Sequence, residues 1–103
     1  MLVAYKVVED IYQGLYGINE IGLFDLPDNL TKEEIEKECE KYCEPIVEDL
    51  ITSHGLEEEC WCGYWTCYKI RDDVKLSEWA LDNELSMMGF DMFADEYCIK
   101  KKI

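Results

Sequence analysis

The stretch from Thr31 to Ser53 constrains this chain more than any other. It opens on Thr31-Lys32-Glu33-Glu34, a Ser/Thr-x-x-Glu capping box. In such a box the two side chains satisfy backbone N–H groups that a helix start leaves without partners. Ile35, Cys39, Tyr42, Cys43, Ile46, Val47 and Leu50 then recur at steps of three and four, the spacing of one buried helix face. Pro45 removes a helical donor and disfavours helical geometry at Glu44. The apolar period runs through it unbroken, so the pattern predicts one kinked helix, roughly Lys32 to Ser53, stopped by Gly55.

Strand signals flank this helix. Leu2 to Val8 is rich in β-branched and aromatic residues, and Leu15 to Phe24 reads as a second strand twisted or bulged at its glycines. Cys60 to Arg71 (CWCGYWTCYKIR) is the densest aromatic stretch and reads as a third. Asp72-Asp73 turns the chain, and Ser77 caps a helix through Trp79, Leu81, Leu85 and Met88. Gly89 ends that helix, and Asp91 starts a short third one carrying Phe93 and Tyr97. The expected order is β-β-α-β-α-α. It implies a small α+β domain, an antiparallel sheet of about three strands backed by helices on one side. With 103 residues the chain fits a single domain, residues 1–103, and 49% apolar residues exclude a disordered acidic tail.

The start, MLVAYKVVED, lacks a basic segment and a long apolar run, so it does not read as a secretory signal, and no window approaches a membrane span. No lipidation motif ends the sequence at Lys100-Lys101-Lys102-Ile103. The expectation is a cytoplasmic protein (host cytoplasm if phage-encoded) in which Cys39, Cys43, Cys60, Cys62, Cys67 and Cys98 are free thiols or metal ligands. No C-x-x-C pair is present, Cys60 and Cys67 fall on opposite faces of their strand, and Cys39 and Cys43 lie on the apolar helix face. Core packing is therefore favoured over metal, with no metal site and no cofactor expected; a zinc-stabilised cysteine domain is the alternative. His54, the only histidine, sits beside three glutamates, and a negative field raises thiol pKa values and so opposes a Cys-His nucleophile. No catalytic residue is assigned, and no enzyme is expected.

Charge then becomes the main signal. The chain has 24 acids against 10 lysines and arginines, a formal charge of −14. Between Asp28 and Glu59 the net is −9, and between Asp72 and Glu96 it is −7. Glu36, Glu40, Glu44 and Glu48 fall at successive i,i+4 positions, about 6 Å apart along a helix. Like charges at that spacing oppose the helix by a few tenths of a kcal/mol per pair. Glu57, Glu58 and Glu59 extend the run. Direct binding to nucleic acid or an anionic membrane is disfavoured, because phosphate is repelled. A row of regularly spaced anions suits instead a basic groove on a protein, such as one that handles nucleic acid; the plainer reading is that the acids only solubilise. Trp61 and Trp65 share one strand face. One face of the sheet, with the Trp61/Trp65 face as a candidate, would be open if two helical segments cannot cover both sides; helices and loops, or a second copy in a homodimer, are the alternative covers.

In size, acidity and lack of a catalytic signature the chain resembles small inhibitors encoded by phages and mobile elements, such as anti-CRISPR and anti-restriction proteins. The resemblance implies a non-enzymatic binding protein that occludes the nucleic-acid-binding surface of a host nuclease. The partner-contacting residues expected from the charge pattern are Glu36, Glu40, Glu44, Glu48, Glu57, Glu58 and Glu59, with Trp61 and Trp65 as an apolar centre.

Overall fold

The capping box closes as its sequence requires. Glu34 N–H donates to Thr31 Oγ1 (3.2 Å), and Thr31 N–H donates to Glu34 Oε1 (3.1 Å). In the computed structural model, which describes residues 1–11, 15–54 and 61–103 (side chains at 1–8, 20–49 and 63–103), this box starts α1 (Lys32–His54). The helix continues through Pro45. Before it come β1 (Leu2–Ile11) and β2 (Leu15–Asp25); after it come β3 (Trp61–Lys69), α2 (Glu78–Met88) and α3 (Phe90–Tyr97). The order is the expected β-β-α-β-α-α. Gly55, Glu57, Glu58, Glu59 and Cys60 lie outside the described residues.

The sheet is antiparallel throughout, in the order β2-β1-β3. The β-branched β1 is thus the central strand. The β1–β2 register shifts between Val7, opposite Glu20, and Val8, opposite Ile18, so β2 carries one extra residue at Asn19. The bulge is therefore at an asparagine and not, as the glycine content suggested, at Gly17 or Gly22. Gly22 has a different use. A Cβ there would lie 2.9 Å from the Tyr5 ring and hydroxyl. Its absence lets Tyr5 lie across β2 and donate its hydroxyl to Glu20 Oε2 at 2.6 Å.

Helices cover both sides of the sheet, not one. On one side α1 brings Cys39, Cys43 and Val47 onto Val3, Tyr5, Val7, Phe24 and Cys67. On the other, Leu81, Leu85, Phe90 and Phe93 of α2 and α3 pack with Ala4, Ile70 and Cys98. The physical reason is width. Three strands at roughly 4.8 Å spacing make a sheet about 10 Å across, close to the diameter of one helix with its side chains. One helix is enough for each side.

Two short devices complete the second layer. Ser77 accepts from Ala80 N–H (3.1 Å) to cap α2. Gly89, at φ +83°, breaks the helix in a conformation that L side chains rarely adopt. The chain restarts at once as α3, which turns Phe90 and Phe93 inward. Beyond α3, Cys98 bridges to Ile70, Ile99 N–H donates to the Lys69 carbonyl (2.9 Å) and Ile103 N–H to that of Cys67 (3.0 Å). Residues 98–103 thereby pair with part of β3.

Candidate partner-binding surface

The acidic row lies along the exposed flank of α1, beside the face that buries Cys39 and Cys43. Glu36, Glu40, Glu44 and Glu48 are all exposed. The row has cations beside it: Lys37 and Lys41 line the same shallow hollow as Glu40, Glu44 and Glu48. Steps of four alone conceal these lysines, because they stand at i−3 from Glu40 and Glu44 on the adjacent ridge. Neither approaches to ion-pair distance of Glu36 or Glu40. Among the described residues, ion pairs form at Met1, Lys6, Lys69, Arg71 and Lys100.

The second acidic block is placed differently. It lies on the α2–α3 side, so the two blocks flank opposite faces of the sheet. Of its eight acids, four are held by cations: Asp91 by Lys6 (3.4 Å), Asp95 by Lys100 (3.5 Å), Asp72 by Lys69 (3.4 Å) and Asp73 by Arg71 (3.1 Å). On α1, Glu36 and Glu40 have no such partner among the described residues.

Trp65 does not lie on an open face. It stands on the side of β3 that α1 covers, is partly buried, and packs against the core that contains Cys67. Its indole N–H donates to Glu44 Oε1 at 2.9 Å, which ties strand and acidic row together. The aromatic body and the carboxylate therefore present one joint surface. The Trp61 side chain, with Glu57, Glu58 and Glu59, falls outside the described residues. The opposite face of β3 leaves Tyr64 exposed, while Tyr68 packs on the second core.

Trp79 is the aromatic the sequence pattern misplaces. It is 77% exposed, and Met87 beside it on the outer side of α2 is 84% exposed. Leu81 and Leu85 set the buried direction of that helix, and a residue two positions before Leu81 points roughly 200° away from it. The signal was available: Trp79 breaks the phase of the series in which it was counted.

The cysteines of the described residues belong to the core. Cys39, Cys43, Cys67 and Cys98 are free and buried, and Cys43 Sγ lies 3.7 Å from Cys67 Sγ. Among the described residues no group of three or more His, Cys, Asp or Glu is arranged to hold a metal ion. Hydrogen bonding with Cys39 and Cys43, together with burial, holds the Cys67 thiol protonated well above its ordinary range. Burial pushes Cys98 from 9.0 up to about 11, with Arg71 opposing. Burial and the Glu20 contact raise Tyr5 in the same sense.

The sign of the pH effect follows. A group whose folded pKa is raised contributes stability below its unfolded value and loses it as pH climbs to the folded one. For Cys98 the window runs from 9.0 to about 11. The thermal midpoint is expected to fall as pH is raised across this window under reducing conditions. A Cys98→Ala variant should show a smaller fall over the same interval; an identical one would dissociate the effect from this thiol.

Comparison with protein-family models, curated proteins and solved structures finds no match to this chain. Among the described residues no helix is long and apolar enough to cross a membrane.

Proposed function

We propose that this chain is a non-enzymatic binding protein that occludes a basic, nucleic-acid-binding site on a partner protein. The observation that carries the reading is the contrast between the two acidic blocks. Four of the eight acids from Asp72 to Glu96 are engaged by cations of the same chain, whereas Glu36 and Glu40 stand exposed on α1 with no cation within ion-pair distance among the described residues. Unengaged charge at regular spacing is free to act on another molecule. The mechanism is steric and electrostatic occlusion: the carboxylates of α1 take the place of phosphates in a cationic groove, and Trp65, fixed against Glu44, supplies apolar contact at the edge. No turnover is involved. A phage-type inhibitor of a host nuclease, of the kind that anti-CRISPR proteins exemplify, would act in this way, in the cytoplasm of the host.

The test is affinity capture from the native cell or host at about 50 mM and about 300 mM salt, where screening of exposed charge differs strongly. The expected result is a basic nucleic-acid-handling protein retained at low salt and lost at high salt. Added in equimolar amount, this chain should then displace nucleic acid from the captured protein. Retention that ignores salt, or a captured protein that still binds its nucleic acid fully, would reject the proposal.

A further inference from the structure

One concave site runs against the charge of the whole molecule. The first turn of α1, the end of β3 and residues 99–103 enclose a hollow of about 360 Å³. Its lining includes Lys32, Lys69, Lys101 and Lys102, four of the ten cations in a chain of net charge −14. Its apolar lining is Met1, Ile35, Ile99 and Ile103. Met1, Ile35 and Ile103 pack against the α1-side core, so this part of the lining is held by the fold.

The topology explains the convergence. Lys69 shares the α1-facing side of β3 with Cys67. The hydrogen bonds of Ile99 to Lys69 and of Ile103 to Cys67 then fold the last residues back beside the strand. Lysines from three separate segments are brought around one apolar patch. Two acids oppose them: Glu36 lines the hollow, and Asp72 pairs with Lys69 at 3.4 Å. Among the described residues no ion pair engages Lys32, Lys101 or Lys102. Lys32, Lys101 and Lys102 thus stand without an ion-pair partner around a hollow that also contains Glu36 and the terminal Ile103.

We propose that this hollow binds a small amphipathic anion, with an apolar body on the isoleucines and a carboxylate or phosphate head among Lys32, Lys101 and Lys102. Ligand sites are concave, mostly apolar and furnished with a few placed polar groups, and the volume falls at the small end of their range. The hollow lies at the N-terminal end of α1, where the helix dipole also favours an anion. An acidic macromolecule would meet the exposed carboxylates of α1 beside it. A small anion meets Lys32, Lys101 and Lys102 against Glu36 alone of the α1 row, since at physiological salt the fields of the more distant acids decay over about 8 Å. The site shares Glu36 with the acidic row, but it does not rest on the proposed occlusion of a basic partner.

The test uses decanoate, decyl phosphate and decanol as probes, followed by the backbone amide resonances of Ile35, Lys69 and Ile99. Decanoate or decyl phosphate should shift these amides saturably with a Kd of about 1 mM or tighter, as expected for a ligand of that size. The tighter of the two identifies the head group. Decanol should bind at least about fivefold more weakly, and the double variant Lys101→Ala/Lys102→Ala should lose at least about fivefold for the anion. Both lysines are exposed, so the variant should keep its thermal midpoint. Absence of saturable shifts up to about 5 mM, equal affinity for decanol, or an unchanged affinity in the lysine variant would each overturn the proposal.

Discussion

Neutralising Glu36, Glu40 and Glu44 together, as glutamines, is expected to slow association with the captured basic partner by about tenfold or more at low salt. Exposed charges act mainly on encounter, so dissociation should change by less than about threefold. Glutamine is the choice because Glu44 Oε1 accepts from the Trp65 indole, and an amide oxygen can accept the same hydrogen bond. Stability should barely move. The change removes three like-charge i,i+4 repulsions along the row, and with them the through-solvent attraction of Lys32, Lys37 and Lys41 at i,i+3 and i,i+4 spacing. Each interaction of either kind is worth about 0.2–0.5 kcal/mol, so the two sets nearly cancel. A matched change on the other layer, Asp82→Asn with Glu96→Gln, removes exposed acids from α2 and α3 and should leave the on-rate within about threefold. Stopped-flow or surface-based kinetics at two salt concentrations checks both. An on-rate equal to that of the parent protein would remove α1 from the interface.

The elements of this fold were largely legible because their signals are local. The Thr31–Glu34 box, the apolar period across Pro45 and the Ser77 cap each describe contacts within one or two turns, and each forms. Strand alternation likewise placed Trp65 with Cys67 and Tyr68 with Ile70 on opposite faces. What alternation does not contain is which face is covered, since that depends on the width of the finished sheet relative to a helix. The expectation of one open sheet face, with Trp61 and Trp65 as a candidate, fails for this reason.

The candidate sites divide in the same way. A row at i,i+4 on one helix can be read directly, and Glu36, Glu40, Glu44 and Glu48 are exposed together. The Trp65–Glu44 hydrogen bond joins residues 21 apart, and no spacing rule connects them. The lysine-rimmed hollow is further still from the sequence pattern, because Lys32, Lys69 and Lys101 meet only after β3 and the following segment have been laid against α1. Charge blocks in the sequence also hide pairing. The Asp72–Glu96 block appeared nearly as strong as the first, yet Lys6 and Lys100, which hold two of its acids, lie outside it.

Replacing Phe93 by alanine is expected to cost about 3–5 kcal/mol, the usual range for a buried phenylalanine. Phe93 is fully buried in α3, packs with Leu81, Leu85 and Phe90, and lies 5.1 Å from the Tyr97 ring. A domain of this size has about 5–15 kcal/mol in total, so the variant should unfold at much lower urea and be partly unfolded at 37 °C. The contrast is Trp79→Ala, which removes a larger but exposed side chain on the neighbouring helix and should stay within about 0.5 kcal/mol of the parent. Urea titration followed by circular dichroism measures both. A cost below about 1 kcal/mol for Phe93→Ala would mean that α2 and α3 do not seal their side of the sheet. The same variant separates fold from function. Phe93 lies across the sheet from α1, so in the cold, where the folded form predominates, the folded fraction should associate with the basic partner at the parental rate. A residue essential to the fold and irrelevant to encounter, set beside three glutamates with the opposite properties, would place recognition on the α1 layer and leave the α2–α3 layer to structure.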